Sequence, residues 1–175
     1  MGVFIVDVES DGPAAGIYSM VSIGIVKLDR ELKTTFMGHF SPISERWIPE
    51  ALAVSGISRE QHLAYPAAET GTREMIAFLK DNSNDRPVLV SDNPAFDFQW
   101  PNYYCALIGE KNPFGHSGRR IGDLYAGLKG NWSAASDWKQ FRKTAHTHDP
   151  VDDAMGNAEA LIHLADTFRL KIKGL

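Results

Sequence analysis

VFIVDVESDGP, residues 3–13, begins as an apolar run of the kind buried in a sheet and ends in two carboxylates, Asp7 and Glu9, before a Gly-Pro turn. Side chains alternate across a strand, so positions two apart share a face. Asp7 and Glu9 therefore converge at the strand's mouth. Like charges held that close raise each other's pKa unless a cation lies between them. An ionised group at the end of an apolar strand is costly unless paired, and no basic residue stands near Asp7 in sequence. The stretch predicts a buried strand whose C-terminal end holds a divalent cation.

The chain around it has 175 residues, enough to bury roughly two-thirds of the surface its unfolded form exposes, and a single domain over 1–175 is expected. Hydrophobic residues make up 43% and charged residues 23%, which argues against both disorder and a membrane class. The N-terminal apolar run is too short for a signal peptide or a membrane span and is interrupted by Asp7, so no membrane association and a cytoplasmic location are expected. Cys105 is the single cysteine; it offers no intrachain disulfide and reads as packing rather than as a nucleophile. The formal net charge of −4 does not announce a nucleic-acid binder, but divalent cations would invert the field at a carboxylate-rich site.

Periodicity predicts strands at 3–8, 20–28 and 34–40, the last two joined by a turn at 29–31 into an antiparallel meander. A short helix is expected near 49–55 and a longer one ending at Lys80, followed by a buried strand at 86–91. A helix starts at Pro94, a Gly/Pro-rich connection covers 109–118, and one or two helices occupy 121–145. The last helix runs from Pro150 to Phe168 with one apolar face. This order fits an α/β or α+β layer with a mixed sheet.

Two helix starts resemble each other: Asn-Pro-Ala-Phe-Asp at 93–97 and Asp-Pro-Val-Asp-Asp at 149–153. Each has a capping residue, then Pro at the first helical position, then an Asp four residues after the cap. Asp97 and Asp153 are thus presented alike, each able to reach a ligand at the positive end of its helix. If both starts abut the first strand, four carboxylates surround one small volume. Ligation by oxygen alone suits Mg²⁺ or Mn²⁺, and two such ions about 4 Å apart suit in-line phosphoryl chemistry. Asp149 and Asp152 read as capping residues. His148 stands beside the same helix mouth and could accept a proton from an attacking water, with His146 as its competitor; the spacing favours His148.

Asp7-x-Glu9, Asn93-x-x-Phe96-Asp97 and His148-x-x-x-x-Asp153-Ala154 together resemble, in order and over almost the whole chain, the DEDDh group of 3'-to-5' exonucleases. Residues 50–57 are similar to that family's Ala-x-x-x-x-Gly-Ile segment, which helps form the pocket for the 3'-terminal nucleotide. The resemblance implies an α/β, RNase H-like fold with a central five-stranded mixed β-sheet flanked by α-helices. It also implies a metal-dependent 3'-to-5' exonuclease that uses two divalent ions, Mg²⁺ or Mn²⁺, and releases nucleoside 5'-monophosphates. Carried over, Asp7 bridges both ions, Glu9 and Asp153 support the ion nearer the attacking water, Asp97 assists at the other, and His148 is the general base. Substrate contacts are expected from Ser10, Asp11, Gly12, Ile57, Asn93 and Phe96. Asp11, Asp92 and Pro150 depart from the residues frequent at those places; none removes a ligand or the base, and Asp11 reads foremost as a turn residue.

The expected partner is the 3' end of single-stranded RNA or DNA, with RNA favoured because small stand-alone members often trim RNA ends. Lys139, Arg142, Lys143, Arg119 and Arg120 are candidate phosphate contacts, and Phe98, Trp100, Tyr103 and Tyr104 candidate stacking surfaces, with solvated faces and core aromatics as the plainer readings. A homodimer is a further expectation, with 98–104 as its candidate interface. The competing functions are a non-catalytic nucleic-acid-binding module on the same fold, whose mark would be loss of an acidic ligand, and an HD-type phosphohydrolase suggested by His148-Asp149. The latter class is all-helical, and the strands at 3–40 speak against it.

Overall fold

β-Branched and aromatic residues favour extended backbone, and in a computed structural model, which describes residues 2–175, they form the strand β1 at Val3–Ser10. The meander continues in β2, Met20–Lys27, and β3, Thr35–His39. Three helices follow: α1 at Pro49–Val54, α2 at Arg59–Leu63 and α3 at Ala68–Asp81. β4 is Val88–Ser91, followed by α4 at Pro94–Asp97 and α5 at Gln99–Leu107. The short strand β5, Gly118–Arg120, leads into α6 at Ile121–Lys129, two 3-10 turns at Trp132–Ala134 and Asp137–Phe141, and α7 at Pro150–Phe168. The sheet order is β3-β2-β1-β4-β5. β1 pairs antiparallel with β2 and parallel with β4, so the sheet is mixed, as expected, and an all-helical HD-type fold is excluded.

Alternation along β1 assigns its two faces. Phe4, Val6 and Val8 pack with Met75, Leu79, Trp100 and Tyr104 of α3 and α5. Val3 and Ile5 pack on the other side with Tyr125, Trp138 and the small and aliphatic residues of α7, including Ala154, Ala158 and Leu161. By the same parity Asp7 and Glu9 continue the face that α7 covers. β4 stops at Ser91, level with the middle of β1, since Ile5 opposes Val90. The acidic end of β1 therefore projects past its parallel neighbour into a cleft, at the carboxyl ends of the strands where open sheets place their ligands.

The departures from expectation have local causes. β5 was not placed: Gly118 closed the expected connection at 109–118, the two residues after it are exposed arginines, and an edge strand that short carries no apolar signal. α2 was not foreseen; a reciprocal capping box between Ser58 and Gln61 starts it. The region 121–145 holds one α-helix and then only 3-10 turns. Among the described residues no helix is long and apolar enough to cross a membrane.

Gly24, opposite Asp7 on β2, decides how near α7 comes to the sheet. A Cβ there would overlap the Pro150 carbonyl and the Val151 nitrogen at the start of α7. Gly24→Ala is expected to destabilise the protein by about 1–3 kcal/mol through overpacking. Gly127→Ala, on the exposed side of α6 with nothing within 4 Å of the added carbon, should instead stabilise by up to about 1 kcal/mol. Urea denaturation of the two variants checks the contrast.

Candidate active site

Asp7 and Glu9 leave the end of β1 on the α7 face, and Asp153 meets them from the first turn of α7. That helix start is well held. The Asp149 side chain accepts the Val151 and Asp152 N–H groups, and Pro150 occupies the first turn. The Asp153 carboxylate in turn accepts the backbone N–H of Thr147 at 3.2 Å and of His148 at 3.1 Å, and Asp153 is 1% exposed. One oxygen from each of Asp7, Glu9 and Asp153 lies within 4.8 Å of the other two. Asp97, buried in α4, lines the same cleft but stands outside this trio. Its N–H is bonded to the Asn93 carbonyl at 2.9 Å, whereas the Asn93 side chain makes no cap, contrary to the expectation for that residue.

Burial pushes the Asp7 carboxyl well above the usual carboxylate range, and the neighbouring charges of Asp97, Asp153 and Glu9 push it further; Arg142 pulls the other way. Burial and then Asp153 raise Glu9 to about 7, and His146 opposes them. Asp97 is raised to about 7, chiefly by burial. Three converging carboxylates with unfavourable mutual repulsion fit a hard divalent cation, which takes oxygen donors and removes that repulsion.

The cleft encloses about 540 Å³. Ser10, Gly12, Asn93 and Phe96 line it, together with an apolar wall of Ala51 and Val54, from the 50–57 segment expected to help form the pocket, and of Ile48, which lies just before that segment. Two expected substrate contacts are placed elsewhere. Asp11 is fully buried: it accepts the Ser19 N–H at 2.6 Å and pairs with Arg59 at 3.0 Å, so its carboxylate faces inward. Ile57 follows the left-handed Gly56, which turns the chain, and it borders a neighbouring groove with His39 and His148. Trp100 and Tyr104 are fully buried in the core and offer no stacking surface. Lys139 is paired with Asp92 at 2.6 Å, and Arg142 is held by Asn157 and by the Asp153 carbonyl.

Both histidines reach the trio. His148 Nδ1 lies 3.5 Å from Glu9 Oε1, while His146 Nδ1 lies 2.7 Å from Asp153 Oδ2 and borders the cleft itself. His146 was the competitor that spacing disfavoured. The His-x-His pattern was the signal that both would be presented together.

Glu9 ordinarily ionises near 4.5 and here at about 7. Because its folded pKa is raised, the proton it retains stabilises the fold fully below 4.5, and this contribution is lost as pH rises through about 7. Asp7 and Asp97 act in the same direction. The melting temperature of chelator-treated protein should therefore fall across that window, Asp7→Asn should flatten the fall, and Mn²⁺ should raise the melting temperature more at its upper end. Calorimetry across pH, with chelator and with Mn²⁺, measures all three.

No protein-family model matches the chain. The 3'-5' DNA exonuclease Cap18 of Escherichia coli is 34% identical over 178 residues, covering 96% of this chain and 93% of its own. Solved nuclease structures share the fold. A 3'-exonuclease described for 3'-end-specific recognition of a histone mRNA stem-loop gives a TM-score of 0.76 at 16% identity, over 95% of this chain and 64% of that one. The nuclease domain of 3'hExo, a DEDDh family member bound to rAMP, gives 0.77 at 18% identity, over 98% of this chain and 96% of that one. Identity of a third along nearly the full length of both proteins is more than a common fold requires: the chain belongs to the family of the 3'-5' DNA exonuclease Cap18, on the fold of a DEDDh nuclease domain.

Proposed function

We propose that residues 1–175 form a single exonuclease unit that shortens single-stranded DNA from its 3' end with two divalent cations, Mg²⁺ or Mn²⁺, and releases nucleoside 5'-monophosphates. The observation that carries this reading is the convergence of Asp7, Glu9 and Asp153 at one end of an open cleft. DNA takes precedence over the RNA that the sequence resemblance favoured, because the relative sharing 34% identity over 93% of its length is a DNA exonuclease. RNA is kept as the second reading by the 3'hExo nuclease domain, whose structure holds rAMP.

Bound cations would offset the charge on the scissile phosphate and lower the pKa of the attacking water. Asp7, at the centre of the acids, would contribute to both cations, Glu9 and Asp153 to the one nearer the attacking water, and Asp97 to the other. His148 accepts the proton from the water that attacks phosphorus. The bond from phosphorus to the 3' oxygen of the preceding nucleotide breaks, and that oxygen takes a proton from solvent water, leaving a new 3'-hydroxyl on the strand and a 5'-monophosphate in the cleft. The terminal nucleotide sits against Ile48, Ala51, Val54 and Phe96, with Ser10, Gly12 and Asn93 at its polar edge. Arg142, tied to the Asp153 carbonyl and to Asn157, holds the start of α7 in place and eases the charge at Asp7.

The test is a matched pair of 5'-labelled single strands, DNA and RNA, incubated with Mn²⁺ or with chelator and read as ladders. Shortening should need the cation and run faster on DNA. Asp7→Asn and His148→Ala should each lower the rate by about 10²-fold or more, the scale of general-base and metal-assisted contributions. Of the two histidines, the larger loss should fall on His148→Ala. A strand that is bound but never shortened would return the protein to the non-catalytic alternative.

A further inference from the structure

The loop before α7 presents a second donor set whose chemistry differs from that of the carboxylate trio. In extended backbone, side chains two residues apart stand roughly 7 Å from each other. His148 instead has φ of +62°, and the rings of His146 and His148 meet with centroids 4.3 Å apart. A left-handed non-glycine residue is uncommon and persists only where its surroundings hold it. Here the Thr147 and His148 N–H groups are both bonded to the Asp153 carboxylate, and the Thr147 hydroxyl accepts the Asp149 N–H. One ring nitrogen from each histidine and one Asp153 oxygen lie within 4.8 Å of each other. Both imidazoles are about half exposed, at 54% and 43%, so a solvated ion has a way in.

We infer that His146, His148 and Asp153 form a separate cation site that selects Zn²⁺ over Mg²⁺. Two imidazole nitrogens and one carboxylate with an open fourth position are a donor set zinc takes readily. Mg²⁺ prefers oxygen and sheds water reluctantly, so nitrogen donors discriminate against it. The site shares Asp153 with the trio, and a zinc ion held there also occupies the His148 ring. Zinc therefore opposes the nuclease reaction. This consequence rests on the roles given above to Asp153 and His148; the site itself does not.

Zn²⁺ is titrated into chelator-stripped Asp7→Asn protein, in which the all-oxygen trio is weakened, against a chromogenic competing chelator. The expected result is one bound zinc, with affinity falling by about tenfold or more when His146→Ala or His148→Ala is added, since even indirect supports of a metal act on that scale. Histidine ring resonances in NMR spectra should shift with Zn²⁺ and stay in place with Mg²⁺. In a second arm, Zn²⁺ should inhibit Mg²⁺-driven shortening by the otherwise unaltered protein. His146→Ala should raise the half-inhibitory zinc concentration, each protein being compared with its own zinc-free rate. Equal zinc affinity with and without the two histidines, or unmoved ring resonances, overturns the site. Zinc that binds through the histidines yet leaves shortening untouched upholds the site and overturns its coupling to the reaction, and with it the roles of Asp153 and His148.

Discussion

How closely α7 can approach the sheet is the constraint on which the cleft depends. Gly24 leaves room for the Pro150 carbonyl against β2, directly across from Asp7. That contact places Asp153, three residues into the helix, over the acidic end of β1. The apolar packing behind it, with Ala154, Ala158 and Leu161 against Val3 and Ile5, outweighs the repulsion of carboxylates that neither burial nor each other's charge favours. The fold thus holds its acids in an arrangement that a cation relieves, as expected where binding sites retain local frustration in a stable scaffold.

The supports around the cleft follow the same logic. Asp11 is a buried carboxylate, but it is paired: it accepts the Ser19 N–H and the Arg59 guanidinium, which also donates to His62 Nδ1 at 3.3 Å. Its carbonyl also accepts the Ile48 N–H at 2.8 Å. That bond ties the end of β1 to the segment that carries Ile48, Ala51 and Val54, and so positions the apolar wall of the cleft beside the acids. Arg59 stacks over Trp47, 5.1 Å from the ring centroid, and closes the same joint. The Asp11 carboxylate, fully buried, is thus paired with a partly exposed guanidinium and hydrogen-bonded, the condition under which a buried charge is tolerated.

Much of this was legible in the chain because it depends on short-range periodicity. The apolar run at 3–6 and the parity of Asp7 and Glu9 set the strand and its acidic mouth, and Pro150 with Asp149 marked the start of the last helix. β5 was not legible: its pairing with β4 is made by backbone, while its side chains are exposed arginines. Nor was α2, five residues long and without an apolar stripe. Asp11 read as a turn residue and as a substrate contact, because nothing local marks the ion pair it makes once Arg59, 48 positions away, is brought beside it.

The amino-acid order by itself determined which residues could do the chemistry: alternation in β1 and the first turns of two helices dictate where carboxylates point relative to their own element. Tertiary structure alone decided which of them meet. It drew Asp7, Glu9 and Asp153 together with Asp97 alongside, turned Asp11 and Ile57 away, and folded His146 back against Asp153. The reason is physical: local periodicity acts over a few residues, whereas the distance between a strand end and a helix start 140 residues later is set by packing and by a glycine's missing side chain.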